Sequence, residues 1–246
     1  MRYQGGKSRI AKQLSTVIMK MTHAYRKNNI FVSLFCGSCA VECRIFGFEK
    51  MILNDNHKYL ISLYKGLQNG YQLPDDITET EYQYIRNHKN DNEILTGFVG
   101  FGSSFGGKWF GGYGRCRNPE RNYAKESKRA LLRDMQILHN AEFICKDYRE
   151  VELPKGCVIY ADPPYNNTTG YEKVKFDSFA FWEYAKEVSK NHLMFISEQS
   201  APDGFVSIWE KPFTRTLDVN KNNQFKVTEK LFIHKNYKNL ITNKNV

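Results

Sequence analysis

The stretch VIYADPPYNNTTGY ends an apolar run with a carboxylate, two prolines and an aromatic ring. The run reads as a buried strand. It delivers Asp162, Pro163, Pro164 and Tyr165 to a C-terminal edge, where α/β folds gather ligands. Both prolines stiffen the backbone and lack an N–H, so the carbonyls of Asp162 and Pro163 gain no donor from either. A fixed carboxylate, an open carbonyl and a ring suit a planar ligand with an amino group. The two acceptors take its N–H bonds and Tyr165 stacks on its face. The same residues in another loop would make a tight turn with a buried aromatic; the preceding strand favours the ligand reading.

A second constellation is FVSLFCGSCAVE, where a strand ending at Phe35, Cys36 and Gly37 opens into a helical pattern. Gly37 permits close ligand approach, and Asp55 after the next strand can accept hydrogen bonds from ribose hydroxyls. The G-x-G-x-x-G fingerprint of dinucleotide enzymes is absent, which argues against hydride transfer. Cys36 and Cys39 also form a C-x-x-C, the pattern of a thiol oxidoreductase. A zinc site at Cys36, Cys39 and Cys43 lacks a second paired C-x-x-C, so no metal is expected. The opening MRYQGGKS imitates the end of a phosphate loop. Met1 occupies the slot of its first glycine and no strand precedes it, so the P-loop reading fails.

The elements that must position these residues alternate strand and helix. Helical periodicity covers 8–21, with Ile10, Leu14, Val17, Ile18 and Met21 on one stripe. Strands are expected at 30–35 and 50–54, helices at 39–46 and 57–67. From 72 to 140 no buried strand is legible, and helices are expected at 79–88 and 124–139. Strands resume at 141–145, 157–161 and 193–197, and a hairpin closes the chain before a polar tail. The expectation is an α/β doubly wound, Rossmann-like sheet with a C-terminal β-hairpin. Its catalytic domain spans 1–71 and 141–246, and a mostly helical insert spans 72–140.

With 246 residues the chain can bury one full core with room for a smaller appended domain, and its 41% hydrophobic content excludes a disordered class. Basic residues outnumber acidic ones by 36 to 26, a surplus suited to a polyanion because neutralised phosphates release counterions. No run of eighteen apolar residues spans a membrane and no signal peptide is visible. Six cysteines without a disulfide spacing fit a cytoplasmic protein. Within the insert, residues 97–114 interleave eight glycines with six aromatic rings, Trp109 and Tyr113 among them. Lys108, Arg115, Arg117 and Arg121 lie in or near that stretch, and arginine is the usual bidentate reader of guanine. The competing reading is a flexible loop whose aromatics cap a small core.

With GGKS, FCGS, Asn54-Asp55 and DPPY in that order, the sequence resembles the Dam-type DNA adenine methyltransferases, from Tyr3 to about the C-terminal hairpin. TTGY at 168–171 and SEQSAP at 197–202 add to the likeness. The resemblance implies S-adenosylmethionine as cofactor and double-stranded DNA as partner, with a target adenine flipped out of the duplex. Tyr3, Gly6, Lys7, Phe35, Cys36 and Gly37 would line the cofactor site. Asp55 would hold its ribose and Asp147 would approach its adenine. Asp162, Pro163 and Tyr165 would act in catalysis, and Lys108, Trp109, Tyr113, Arg115, Arg117 and Arg121 would meet DNA. GATC is the first target to test, and a monomer or weak homodimer in a bacterial or phage-infected cell is the expected setting.

Two departures stand out. The family usually carries an acid where this chain has Ser33, and commonly glycine or a small residue where it has Cys39. Ser33 removes one partner for the cofactor's ammonium group, which keeps a catalytically inactive DNA-binding relative in play beside the enzyme.

Overall fold

A computed structural model of the chain describes residues 1–25, 29–115, 121–164, 176–216 and 224–242. Seven strands form one sheet: β1 (Ile30–Ser33), β2 (Lys50–Asn54), β3 (Glu142–Ile144), β4 (Val158–Ala161), β5 (Leu193–Glu198), β6 (Phe205–Thr216) and β7 (Gln224–His234). Their order is β3-β2-β1-β4-β5-β7-β6. The first five run parallel, while β7 lies antiparallel between β5 and β6. This is the doubly wound, Rossmann-like sheet with its C-terminal hairpin that the sequence pattern predicts.

The central parallel strands β4 and β5 are buried on both faces, which explains their unbroken apolar runs. Along β4, Val158 and Tyr160 join one buried cluster while Ile159 and Ala161 join the other. Leu193 and Phe195 of β5 alternate with Met194 and Ile196 in the same way. Pro212, which can donate no ladder bond, sits on β6 at the edge of the sheet.

Seven α-helices accompany the strands among the described residues: α1 (Ala11–Tyr25), α2 (Lys58–Gln68), α3 (Glu79–Asn87), α4 (Glu93–Gly102), α5 (Tyr123–Ile137), α6 (Ser178–Val188) and α7 (Asn239–Thr242). Polar caps begin most of them. Asn92, Asn122 and Asp177 each accept a backbone N–H, and Thr78 with Glu81 forms a reciprocal capping box. None of the helices is long and apolar enough to cross a membrane among the described residues.

Between 72 and 140 lie α3, α4 and α5, with no named strand among the described residues. Their apolar side chains Tyr82, Phe98, Phe101, Leu131 and Met135 belong to the same buried cluster as α1, α2 and one face of the sheet. Helix α4 escapes the sequence pattern because its glycines read as a loop. Gly97 shows their use: a Cβ there would stand 2.1 Å from the Tyr59 carbonyl oxygen, so only glycine lets α4 lie this close to α2. The helix expected at 39–46 is also corrected. Cys39 takes φ +56°, which interrupts a right-handed helix, and only a single 3₁₀ turn at Glu42–Arg44 forms.

Candidate active site

The sheet reverses its winding between β1 and β4, the place where open α/β sheets leave a crevice. Register pairs Ser33 with Tyr160, and the Leu34 N–H donates to the Tyr160 carbonyl at 3.0 Å. Phe35-Cys36-Gly37 therefore leaves the sheet beside Asp162-Pro163-Pro164. A cavity of about 460 Å³ opens there, within the usual range for a small-molecule site. Tyr3, Gly6, Lys7, Phe35, Cys36, Gly37, Asp55, Asp162 and Pro163 all line it, and so do Lys108 and Trp109.

Local chemistry fixes each wall. The Asp55 carboxylate accepts the Gly37 N–H through Oδ2 and the His57 N–H through Oδ1, each at 2.9 Å. It thereby ties the loop after β1 to the loop after β2. Burial raises its pKa, and those two amides oppose the rise. Gly37 adopts φ +46°, and a Cβ there would press to 3.2 Å of the Tyr3 ring. The N-terminal turn is strapped down in its turn, since the Gln4 N–H donates to the Gly107 carbonyl at 3.0 Å.

Lys7 is 6% exposed, and its ammonium lies 2.7 Å from Asp162 Oδ1 and 3.3 Å from Glu229 Oε1. A buried cation requires such counter-charges. Glu198 lies buried in the same electrostatic group. Burial pushes its carboxyl up to about 7, Glu229 and Asp162 add to the rise, and Lys7 counters it.

The glycine-aromatic stretch divides between core and cavity. Phe98, Phe101 and Phe110 are buried, and the Tyr113 hydroxyl donates to the Ile77 carbonyl at 2.7 Å. Trp109 joins the cavity wall instead. It stacks on Tyr59 at 5.4 Å and meets the His57 ring edge-on at 4.3 Å. Burial drives the His57 imidazole down to about 4, so this ring is neutral at physiological pH.

Several expected residues stand elsewhere. Asp147 lies outside the cavity lining: it caps a short 3₁₀ turn, and Arg149 grips both its oxygens at 2.7 and 2.9 Å. Arg115 pairs with Glu79, and Arg121 pairs with Glu126 at 2.6 Å, all on exposed faces. Tyr165, Arg117 and the TTGY stretch lie outside the described residues.

Sequence reasoning missed Glu42, Tyr160 and Ser38 on the cavity wall and the buried acids Glu198 and Glu229 beside it. The one available signal for the last two was an acid inside each of two strand-like apolar runs. Ser33 also gains a partner that no motif announced: its hydroxyl donates to Glu42 Oε1 at 2.7 Å.

The redox reading of Cys36 and Cys39 does not suit the site. Both thiols are fully enclosed, and burial pushes both upward, opposite to what a reactive thiolate needs. They are expected to resist a thiol-specific chromogenic reagent in the folded protein while exposed Cys145 reacts. Rapid labelling of Cys36 would revive the oxidoreductase reading.

No curated protein matches the chain. Among solved structures it is similar to a candidate RNA methyltransferase from Pyrococcus horikoshii, at TM-score 0.41 and 8% identity over 90% of this chain and 83% of that one. A candidate methyltransferase from Escherichia coli gives TM-score 0.37 and 11% identity, covering 93% of this chain and 87% of that one. Both likenesses are too distant to carry a substrate across. The sequence profile of a much more specific group, the D12 class N6 adenine-specific DNA methyltransferases, matches residues 3–96 and 103–209. That match takes in the N-terminal turn, both strand ends and most of the helical insert, so the chain belongs to the D12 class N6 adenine-specific DNA methyltransferase family and is an S-adenosylmethionine-dependent methyltransferase.

Proposed function

We propose that this enzyme methylates the exocyclic amine of an adenine flipped out of double-stranded DNA. One observation carries the reading: Asp162, followed by two prolines, stands at the mouth of the β1/β4 crevice with its carboxylate held by Lys7.

The donor set fits the cofactor. Carboxylates of Glu42, Asp55 and Asp162 line one cavity with the rings of Tyr3, Phe35 and Trp109. Acids suit the ammonium, sulfonium and ribose hydroxyls, and rings suit the adenine face. Bound there, S-adenosylmethionine supplies an electrophilic methyl group on a sulfonium centre. The protein's part is to prepare the nucleophile. An adenine amine is weak because its lone pair is delocalised into the ring. Accepting its two N–H bonds at the Asp162 carboxylate and the Pro163 carbonyl favours a tetrahedral nitrogen with its lone pair free. Fixing both reactants in one site makes the encounter effectively intramolecular. As positive charge grows on the nitrogen, the Asp162 carboxylate stabilises it.

A base within a duplex cannot enter such a crevice, and extruding it costs a few kcal/mol. Stacking on aromatic rings offsets about 1–3 kcal/mol of that, and Trp109 at the cavity wall can contribute alongside Tyr165. We assign DNA contact to 72–140. Lys108 lies at the cavity, and the exposed pairs of Arg115 and Arg121 are weak enough to exchange a carboxylate for a phosphate or base.

The test is transfer of radiolabelled methyl from S-adenosylmethionine to unmethylated duplex DNA, with single-stranded DNA and RNA as parallel arms. Label is expected in N6-methyladenine of the duplex. DNA binding without label in DNA would establish the inactive relative instead, and label confined to RNA would overturn the substrate.

A further inference from the structure

We propose that Glu42, presented by Ser33, is the residue that binds the ammonium group of the cofactor's methionine moiety; this rests on the reading of the β1/β4 cavity as the S-adenosylmethionine site. Glu42 opens the 3₁₀ turn that follows the Gly37 loop, is 2% exposed, and still lines the cavity.

Three carboxylates line that cavity, and their partners differ. Asp55 spends both oxygens on the backbone amides that join two loops. Asp162 faces the Lys7 ammonium at 2.7 Å. Glu42 receives the Ser33 hydroxyl, a neutral donor, at 2.7 Å. Asp162 and Tyr160 of the β4 end and the thiols of Cys36, Cys39 and Cys43 act on it from the neighbouring elements, and the Lys7 ammonium on the same cavity wall lies 2.7 Å from Asp162 and 3.3 Å from Glu229. A buried carboxylate whose hydrogen-bond donor is a neutral hydroxyl gains from a cationic ligand.

Burial holds Glu42 up to about 7, with the Ser33 hydroxyl opposing the rise and Asp162 adding to it. The ligand-free protein therefore keeps a share of a proton on Glu42 at neutral pH. An ammonium placed beside the carboxylate favours the charged form, and that proton passes to the buffer.

Calorimetry with two probes tests this. S-adenosylhomocysteine carries the ammonium and carboxylate, and 5′-methylthioadenosine lacks both. Glu42→Gln is expected to weaken S-adenosylhomocysteine roughly tenfold to a hundredfold, the worth of a hydrogen bond to a charged group. Its affinity for 5′-methylthioadenosine should stay within about twofold. A loss rather than a gain identifies the ammonium, because removing an acid would tighten a carboxylate. Comparing buffers of different ionisation heat at pH 7, wild type should release protons on binding S-adenosylhomocysteine and Glu42→Gln fewer. Ser33→Ala should show a smaller loss with the same selectivity, and it carries the test if Glu42→Gln fails to fold. Equal losses for both probes, or none for either, would overturn the assignment. Wild type binding neither probe would instead overturn the cofactor-site reading beneath it.

Discussion

Asp162→Ala is expected to lower methyl transfer by at least about a hundredfold while the protein stays folded, the scale seen when one preorganised electrostatic group is removed from a transition state. The carboxylate is well placed to matter. It follows β4, a strand buried along its whole length, and Pro163 and Pro164 limit how its backbone can turn. Lys7 holds its Oδ1 at 2.7 Å. The side chain is partly open to the cavity, so its loss removes little packing, and Lys7 keeps Glu229 as a counter-charge. Rate and binding should therefore separate. Single-turnover methylation should fall steeply, while S-adenosylhomocysteine affinity changes far less because Glu42 and Asp55 remain. Asp162→Asn is a stricter probe, since the amide keeps the shape and one acceptor oxygen while losing the charge and turning the other acceptor into a donor. A variant transferring methyl within threefold of wild type would show that the carboxylate does not act on the nucleophile.

Much of this site was legible in the sequence because local patterns carry it. The strand at Lys50–Asn54 falls where the apolar run predicts, and Asp162-Pro163-Pro164 does stand at a strand end. The eighteen-residue spacing from Gly37 to Asp55 becomes a single hydrogen bond that joins adjacent strand ends. What stayed hidden depends on geometry the local pattern does not encode. Glu42 sits where a helix was expected, and the left-handed Cys39 instead turns the chain so that its carboxylate meets Ser33. Helix α4 was concealed by glycines that look like a loop yet serve close packing against α2. Of the six aromatics in that stretch, Phe98, Phe101 and Phe110 are core, as the capping reading expects, while Trp109 lines the cavity. Asp147 was assigned by resemblance alone, and Arg149 two residues on claims its carboxylate. No local pattern announces that Lys7 pairs with Glu229 of β7, more than two hundred residues away.

Replacing that lysine gives the second large effect. Lys7→Met is expected to cost about 3 kcal/mol of stability near neutral pH, the lower end for breaking a buried charge pair because Asp162 keeps some solvent contact. Without the ammonium, Asp162, Glu229 and Glu198 lose the cation they share. The Glu198 carboxyl, already raised to about 7 by burial and held down by Lys7, then rises further above its unfolded value of about 4. Its contribution to stability is fully present below about pH 4 and is lost as pH rises through the raised folded value. Catalysis runs the opposite way. The active form of Asp162 is ionised, so the variant's transfer rate should climb with pH as Asp162 loses its proton, with a larger deficit at pH 6 than at pH 8.5. Urea unfolding and single-turnover rates across that range read the two trends separately. A variant that unfolds like wild type at pH 8, with a rate deficit equal at every pH, would mean that Lys7 does not tune Asp162. Opposed slopes would identify it as a positioning residue that keeps the catalytic carboxylate charged and in place.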